Sequence, residues 1–473
     1  MYKKEVRGEL ILGNKSYANI TEDVLRHQES QKKWYNAPAW WWIAFVIFFI
    51  LMSIGLGWAV SYKTITQGIG TWGNNNQTAW GWAIINFVWW IGIGHAGTAF
   101  SIFLLVLRQK WRTSINRAAE AMTIFAVMAA GLFPAIHVGR PWDEIFIFPY
   151  GPNSRGLWVN WNSPLLWDVI AITTYLTTSF LFWYIGMIPD FATIRERSSG
   201  IKKKIFSALS FGFVGHMKSW RRFEDAVYIL GGLAAPLVIS VHSIVSTDFS
   251  AGIVPGWHET IFPPFFVVGA IFSGFAMVLT LMIIIRKVYK LHEYVTDDHL
   301  DAIARIIIFV SLIMGSAYLI EEFIAYYSAN PYEKYIFLDS YLKGDYAWTY
   351  WGMVIFNAFV PQLFWFRKVR RNLLWLFIIS IIINIGMWLE RYNIVIPPTA
   401  QDFLPANWGE YHPTMVDIWN YLGTIGLFGV GVLLFMRYLP IMAMNELKQQ
   451  AKRQTELTVE ASVYDILEKK IVK

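Results

Sequence analysis

The sequence predicts an all-α integral membrane protein with about ten transmembrane helices, and three observations carry that prediction. Of 473 residues, 55% are hydrophobic and 15% charged, against about 25% charged in a typical soluble chain. Ten stretches are apolar over the roughly 20 residues that cross the hydrocarbon core. The 40 Lys and Arg residues are also unevenly shared: 33 fall in the N-terminal segment, every second loop and the tail, 6 fall in the alternate loops, and Arg305 lies inside a span.

The spans are read as Pro38–Tyr62, Trp80–Leu107, Ala118–Val138, Pro164–Met187, Ala226–Ser246, Phe265–Ile285, Ala302–Tyr327, Ala347–Phe366, Leu373–Leu389 and Val416–Met436. The fifth and ninth have the weakest apolar signal, and Pro134 interrupts the third near its end. Basic residues favour the cytoplasmic side, so both termini are expected there. This divides the chain into a cytoplasmic segment 1–37, a membrane domain 38–439 and a cytoplasmic tail 440–473. The basic surplus is thus a signal of topology and anionic lipid, and no nucleic-acid partner is expected. The first 35 or so residues lack the apolar core and cleavage site of a removable signal.

The 25 Trp residues suit helix ends at the membrane interface. The loop Gly139–Ser163 and the segment holding Pro397, Pro398 and Pro405 favour fixed turns, so both are expected as ordered outer surface. A faint repeat (Phe100-Ser101 then Arg108 and Arg117, against Phe272-Ser273 then Arg286 and Arg305) suggests two four-helix bundles. These would be spans two to five, over 80–246, and spans six to nine, over 265–391, flanked by the first and tenth.

The chain has no cysteine, which excludes disulfides, cysteine-ligated iron–sulfur clusters and c-type haem attachment. No metal site is expected, nor a b-type haem, and any electrons must pass to another subunit or an organic carrier.

Ionisable residues within spans are costly and mark function. His137 ends the third span and Asp168 lies one turn into the fourth, after the Ser163-Pro164 start signal. The two are complementary: a neutral imidazole accepts a proton near neutral pH, and a carboxylate can orient it or take a second hydrogen bond. A hydroquinone giving up two electrons must shed two protons to such acceptors. His95 sits mid-span in the small-residue run Gly92–Gly97, which permits close packing or ligand approach. Arg140 and the Glu390–Arg391 pair, expected to close the ninth span at the outer interface, could tune such a site. His242, Asp248, Glu321 and Glu322 on the outer side, with Glu120, Glu224 and Asp225 on the inner, could form a proton path. The inner acids could equally balance the adjacent basic loops.

The segment Phe133-Pro134-Ala135-Ile136-His137-Val138-Gly139-Arg140-Pro141-Trp142, followed by Ser163-Pro164-Leu165-Leu166-Trp167-Asp168, resembles the NrfD family of membrane subunits of polysulfide reductase-type enzymes. Length, the charged N-terminus and Trp-rich outer loops resemble most closely the members that serve bacterial alternative complex III. The resemblance implies two four-helix bundles, no cofactor bound by this chain, and a quinol site near the periplasmic face with His137 and Asp168 at pocket positions. It implies menaquinol as donor more than ubiquinol, and lodging in a bacterial inner membrane. The implied partners are a periplasmic iron–sulfur subunit, multihaem cytochrome c subunits, a second NrfD-like subunit and a terminal cytochrome c oxidase. The alternatives are the membrane subunit of a polysulfide- or nitrite-reductase-type complex, a non-catalytic proton-conducting paralogue, and a transporter, which would carry broken helices and polar groups at mid-depth.

Overall fold

The computed structural model describes residues 17–30, 39–106, 110–147 and 161–452. The expected turns of 148–160 and the tail beyond 452 lie outside those residues, as do 1–16 and 31–38. The described chain is helical throughout: α1 (Tyr17–Ser30), α2 (Ala39–Gly57, continued by π turns over Trp58–Ile65), α3 (Trp82–Val106), α4 (Asn116–His137), α5 (Pro164–Arg197), α6 (Gly200–Leu209), α7 (Met217–Ser250), α8 (Phe262–Val288), α9 (Asp297–Tyr327), α10 (Ala347–Val354), α11 (Leu373–Ala400) and α12 (Met415–Tyr438). Nine of these helices are long and apolar enough to cross a membrane.

Two four-helix rings form the body. Helix α3 packs on α4, α4 on α5, α5 on α7 and α7 back on α3. The second ring runs from α8 to α9, through the span that begins with α10, to α11 and back to α8. Contacts of α3 and α7 with α8, and of α3 with α11, join the rings along a seam, and the α2–α12 pair packs against α3 and α4. This is the two-bundle arrangement with flanking spans that the faint repeat suggests.

Small residues set these spacings. A Cβ on Gly97 would fall 2.0 Å from the Ala119 carbonyl of α4, and one on Gly94 would strike Val127. On α12, Gly423, Gly426 and Gly429 receive Leu56, Phe49 and their neighbours on α2. Such close approach supplies the dispersion contact that holds helices together where lipid offers no hydrophobic driving force.

Three corrections concern proline. The eighth span is not one α-helix: α10 gives way to π turns over Ile355–Phe359 and 3-10 turns over Val360–Trp365. Pro361 cannot donate to the Asn357 carbonyl four residues back, and Ser311 Oγ on α9 donates to that carbonyl at 2.6 Å. Conversely, Pro397 and Pro398 do not begin an outer loop, because α11 runs through them to Ala400. Their freed carbonyls belong to Asn393 and Ile394, which accept from the Tyr341 hydroxyl at 2.7 Å and the Trp257 indole at 2.6 Å. Neighbouring helices and loops thus satisfy the backbone that proline leaves open. The third correction follows from the longer α11: Glu390 and Arg391 lie well inside it, 1% and 2% exposed, rather than at an interface.

The basic loops gather on one face, called here the basic face. There Asp301 bridges Arg370 and Arg305, each at 2.5 Å, which accounts for the cation inside a span. Residues 444–452 are helical and dock on the first bundle: Asn445 donates to Asp190 at 2.6 Å, Glu446 pairs with Arg112 at 3.1 Å, and Thr113 bonds Gln450 at 2.7 Å. The tail therefore begins by covering this chain's own helix ends.

Candidate functional site

At the face opposite the basic one, α5 carries Asp168 in its second turn and α7 carries Asp248 near its end. Pro164 starts α5 at its first position, so the carboxyl sits below the helix end and inside the packed ring, 4% exposed. The two carboxyls lie within hydrogen-bonding reach of each other. Two carboxyls can bond only when one holds a proton to donate, so this pair is a one-proton store. Oδ1 of each has no other partner. His137, the last residue of α4, is half-buried, bonded to the Ala79 backbone and tilted against Trp72 at 6.1 Å. Its Nε2 is buried without a partner. Three orphaned polar atoms at one end of one bundle can serve a ligand that brings its own donors. Arg140, just past α4, is exposed.

Deeper, at the seam, His95 and His242 meet. Both are buried, their ring centroids are 3.9 Å apart at 81°, and Tyr175 stacks on the far face of His95 at 4.4 Å. His95 Nδ1 is bonded to the Ile91 carbonyl, while its Nε2 and both nitrogens of His242 lack partners. Gly92 leaves room: a Cβ there would come within 3.3 Å of Ser273 Oγ and 3.9 Å of His242 Nε2. The structure thus brings His95 to His242, not to the Asp168 end.

Arg391 faces the same seam, its guanidinium over Phe266 at 5.3 Å and beside Gly269. It pairs with Glu390, which also accepts from Tyr318. Asn357 donates to the Tyr318 hydroxyl at 3.0 Å. Next to these, a cavity of about 30 Å³ is lined by Tyr318, Glu321, Tyr341, Tyr350, Glu390 and Asn393. Tyr350 donates to Glu322. Beyond lies Glu259, in the loop between α7 and α8, buried with both oxygens unpartnered. Burial, reinforced by the charge of Glu333, pushes its carboxyl up to about 8.

On the basic face, Glu120 accepts from Ser101 at 2.6 Å and from Arg117 at 3.1 Å, and Arg117 also approaches Asp190 at 3.8 Å. A cavity of about 190 Å³ reaches Arg117, Asp190 and Glu224. Asp225 is exposed and lines none of these cavities. From Ser101 the polar groups continue along α3: Thr98 bonds Ser179 at 3.3 Å, and the Tyr175 hydroxyl contacts the carbonyls of Gly94 and His95 at 3.3 Å.

Sequence reasoning misses Arg117, Asp190, Tyr175, Tyr318, Asn357 and Glu259. The signal available for the first two was their charge within one or two turns of a span end. Tyr and Asn carry no such flag in an aromatic-rich chain. Among the described residues, no group of three or more His, Cys, Asp or Glu side chains is placed to hold a metal ion.

Two fused bundles of long apolar helices, with a buried acid pair and a buried imidazole pair among them, define a multi-pass α-helical membrane protein. The chain belongs to the NrfD family: residues 70–403 match the family described as polysulphide reductase, NrfD. It is 23% identical over 418 residues to a putative membrane subunit of the dimethyl sulfoxide reductase of Halobacterium salinarum, covering 83% of this chain and 89% of that one. The C chain of the selenate reductase of Mesobacillus selenatarsenatis is 24% identical over 412 residues, covering 82% and 91%. The Hdr-like menaquinol oxidoreductase integral membrane subunit of Archaeoglobus fulgidus is 21% identical over 400 residues, covering 80% and 89%.

Proposed function

We propose that this chain is the quinol-binding and quinol-oxidising membrane subunit of a respiratory oxidoreductase complex. The observation that carries the reading is the group of orphaned atoms at one end of the first bundle: His137 Nε2 and an Oδ1 on each of Asp168 and Asp248. A hydroquinol entering from lipid brings two hydroxyl donors to three acceptors. As two electrons leave its ring, His137 takes one proton, and the ionised carboxylate of the Asp168–Asp248 pair takes the other as the pair passes on the proton it already shares. The electrons go to an iron–sulfur subunit docked on that face, since the chain holds no cysteine to ligate a cluster of its own. Menaquinol is the preferred donor, in keeping with the name of the Archaeoglobus relative.

The complex is of the alternative complex III type, with this chain in the place of its ActC subunit. Its partners are multihaem cytochrome c subunits, the homologous ActF and a terminal cytochrome c oxidase. It lies in a bacterial inner membrane with both termini cytoplasmic. The basic asymmetry of the loops supports that orientation. Protons also cross the first bundle, from Asp190 and Glu120 through Ser101, Thr98 and Tyr175 to His95 and His242. The cavity beside Glu390 and Glu321 has room for about one water and extends the route towards Glu259. Two of the relatives are named as parts of reductases, which favours a second reading: the same quinol site feeding a terminal reductase. The broken eighth span does not favour a transporter, because Ser311 and Gln362 occupy its freed carbonyls.

The test is quinol oxidation by the purified complex carrying Asp168→Asn or His137→Ala. Loss of turnover with subunits and haem content intact supports the site, and near-normal turnover in both variants rejects it. The subunits that co-purify separate the two readings.

A further inference from the structure

Between the α2–α12 pair and helices α8 and α11 lies a third cavity, of about 590 Å³, whose lining includes neither Asp168 nor His137. That volume lies in the range of small-molecule sites, roughly 300–1,000 Å³. Its walls are apolar and aromatic, with Trp89, Phe49 and Phe428 among them. Its rim faces lipid: Phe45, Ile381 and Ile385 are exposed in the described chain. One feature does not suit hydrocarbon. Asn384 lines the cavity, is 6% exposed, and its Oδ1 has no partner. The amide orientation is defined by Nδ2, which donates to the Ser380 carbonyl at 2.8 Å; the Trp89 indole donates to the main-chain carbonyl of Asn384 at 3.0 Å and leaves Oδ1 unmet. Tyr421 and Thr280 also line the wall, the Thr280 hydroxyl being engaged by the Ala276 carbonyl and the Ser380 hydroxyl.

An acyl chain would fill this space and leave the Asn384 acceptor unmet, which costs as much as a lost buried hydrogen bond. A phospholipid headgroup is too polar for walls that hold so few polar atoms. The fitting ligand is flat and aromatic to stack on indole and phenyl faces, carries a hydroxyl donor, and trails an apolar chain to the rim. We propose that this cavity is a second lipid-facing site, specific for an isoprenoid hydroquinone in its reduced form, with Asn384 Oδ1 accepting from a ring hydroxyl. The oxidised quinone presents only acceptors, so the site discriminates against it. The ligand class rests on the quinol reading above, while the cavity and its orphaned acceptor do not.

The test uses the intact complex in nanodiscs and a photoreactive menaquinol analogue, kept reduced or oxidised before illumination, with cross-linked peptides mapped by mass spectrometry. The reduced probe is expected to label peptides spanning 277–288 and 421–433. The oxidised probe should label them about tenfold less, in line with one unmet buried acceptor. Asn384→Leu should remove that labelling. Ile385→Trp, which narrows the mouth from the lipid side without entering the bundle core, should do the same. Equal labelling by both probe forms, labelling by a photoreactive phospholipid to the same extent, or labelling indifferent to both substitutions would overturn the proposal. Peptides around 137 and 168 report separately: their failure to label, with 277–288 still labelled, would sink the catalytic reading and leave this one standing.

Discussion

His95 and His242 bring imidazole against imidazole across the seam of the two bundles, centroids 3.9 Å apart, with three of their four ring nitrogens unpartnered. One nitrogen of His95 is held by Ile91, so its ring cannot turn freely, while that of His242 has no such tether. An imidazole that accepts a proton on one nitrogen and donates from the other can pass it on. His242→Phe keeps an aromatic ring and removes both nitrogens. In complex reconstituted into liposomes, quinol oxidation should persist within a few-fold while protons translocated per electron fall. Unchanged proton stoichiometry would remove the pair from the route.

Asp168 and Asp248 are expected to act as a unit. Either Asp→Asn change leaves a carboxyl facing an amide and ends the shared-proton arrangement. Loss of a positioned proton acceptor typically lowers turnover by about 10²–10⁴. The double variant should be little worse than either single one, as for groups that work together. Multiplying losses in steady-state quinol oxidation would show two independent roles instead.

Much of this architecture is legible before any coordinates, because run length and the Lys/Arg alternation report directly on a bilayer. Helix ends are less legible. Pro397 and Pro398 read as a stop, since the donors that serve their freed carbonyls, Tyr341 and Trp257, lie far away in sequence. Ending α11 early then places Glu390 and Arg391 at an interface instead of in the core. Pro361 misleads the other way: an apolar window has no sensitivity to π and 3-10 turns. His137 and Asp168 stand out because they follow a motif and a helix-start signal. The placement of Asp248 against Asp168 depends on how α7 packs on α5, which no local pattern encodes.

The donors that complete the proline sites should matter for stability. Tyr341→Phe leaves the Asn393 carbonyl buried without a donor, at a cost of about 1–3 kcal/mol. The complex should lose several degrees of thermal stability in detergent, and Trp257→Phe should do likewise through Ile394. A Tyr341→Phe complex that melts like the parent would mean that water or a relaxed helix serves the carbonyl equally well.

Glu259 makes stability depend on pH in a direction opposite to most carboxylates. Its ordinary value is 4.5, and in the fold burial and then Glu333 push it up to about 8. Between those values the folded chain holds a proton that the unfolded chain releases, so stability falls as pH rises. The favourable contribution is fully present below the unfolded value and is lost as pH climbs through about 8. Glu259→Gln mimics the protonated form at every pH. Thermal unfolding at about pH 5.5 and 8.5 should show the parent losing a few degrees at the higher pH. The variant should lose less and surpass the parent there. Equal losses in both proteins would show that Glu259 is ionised in the folded state.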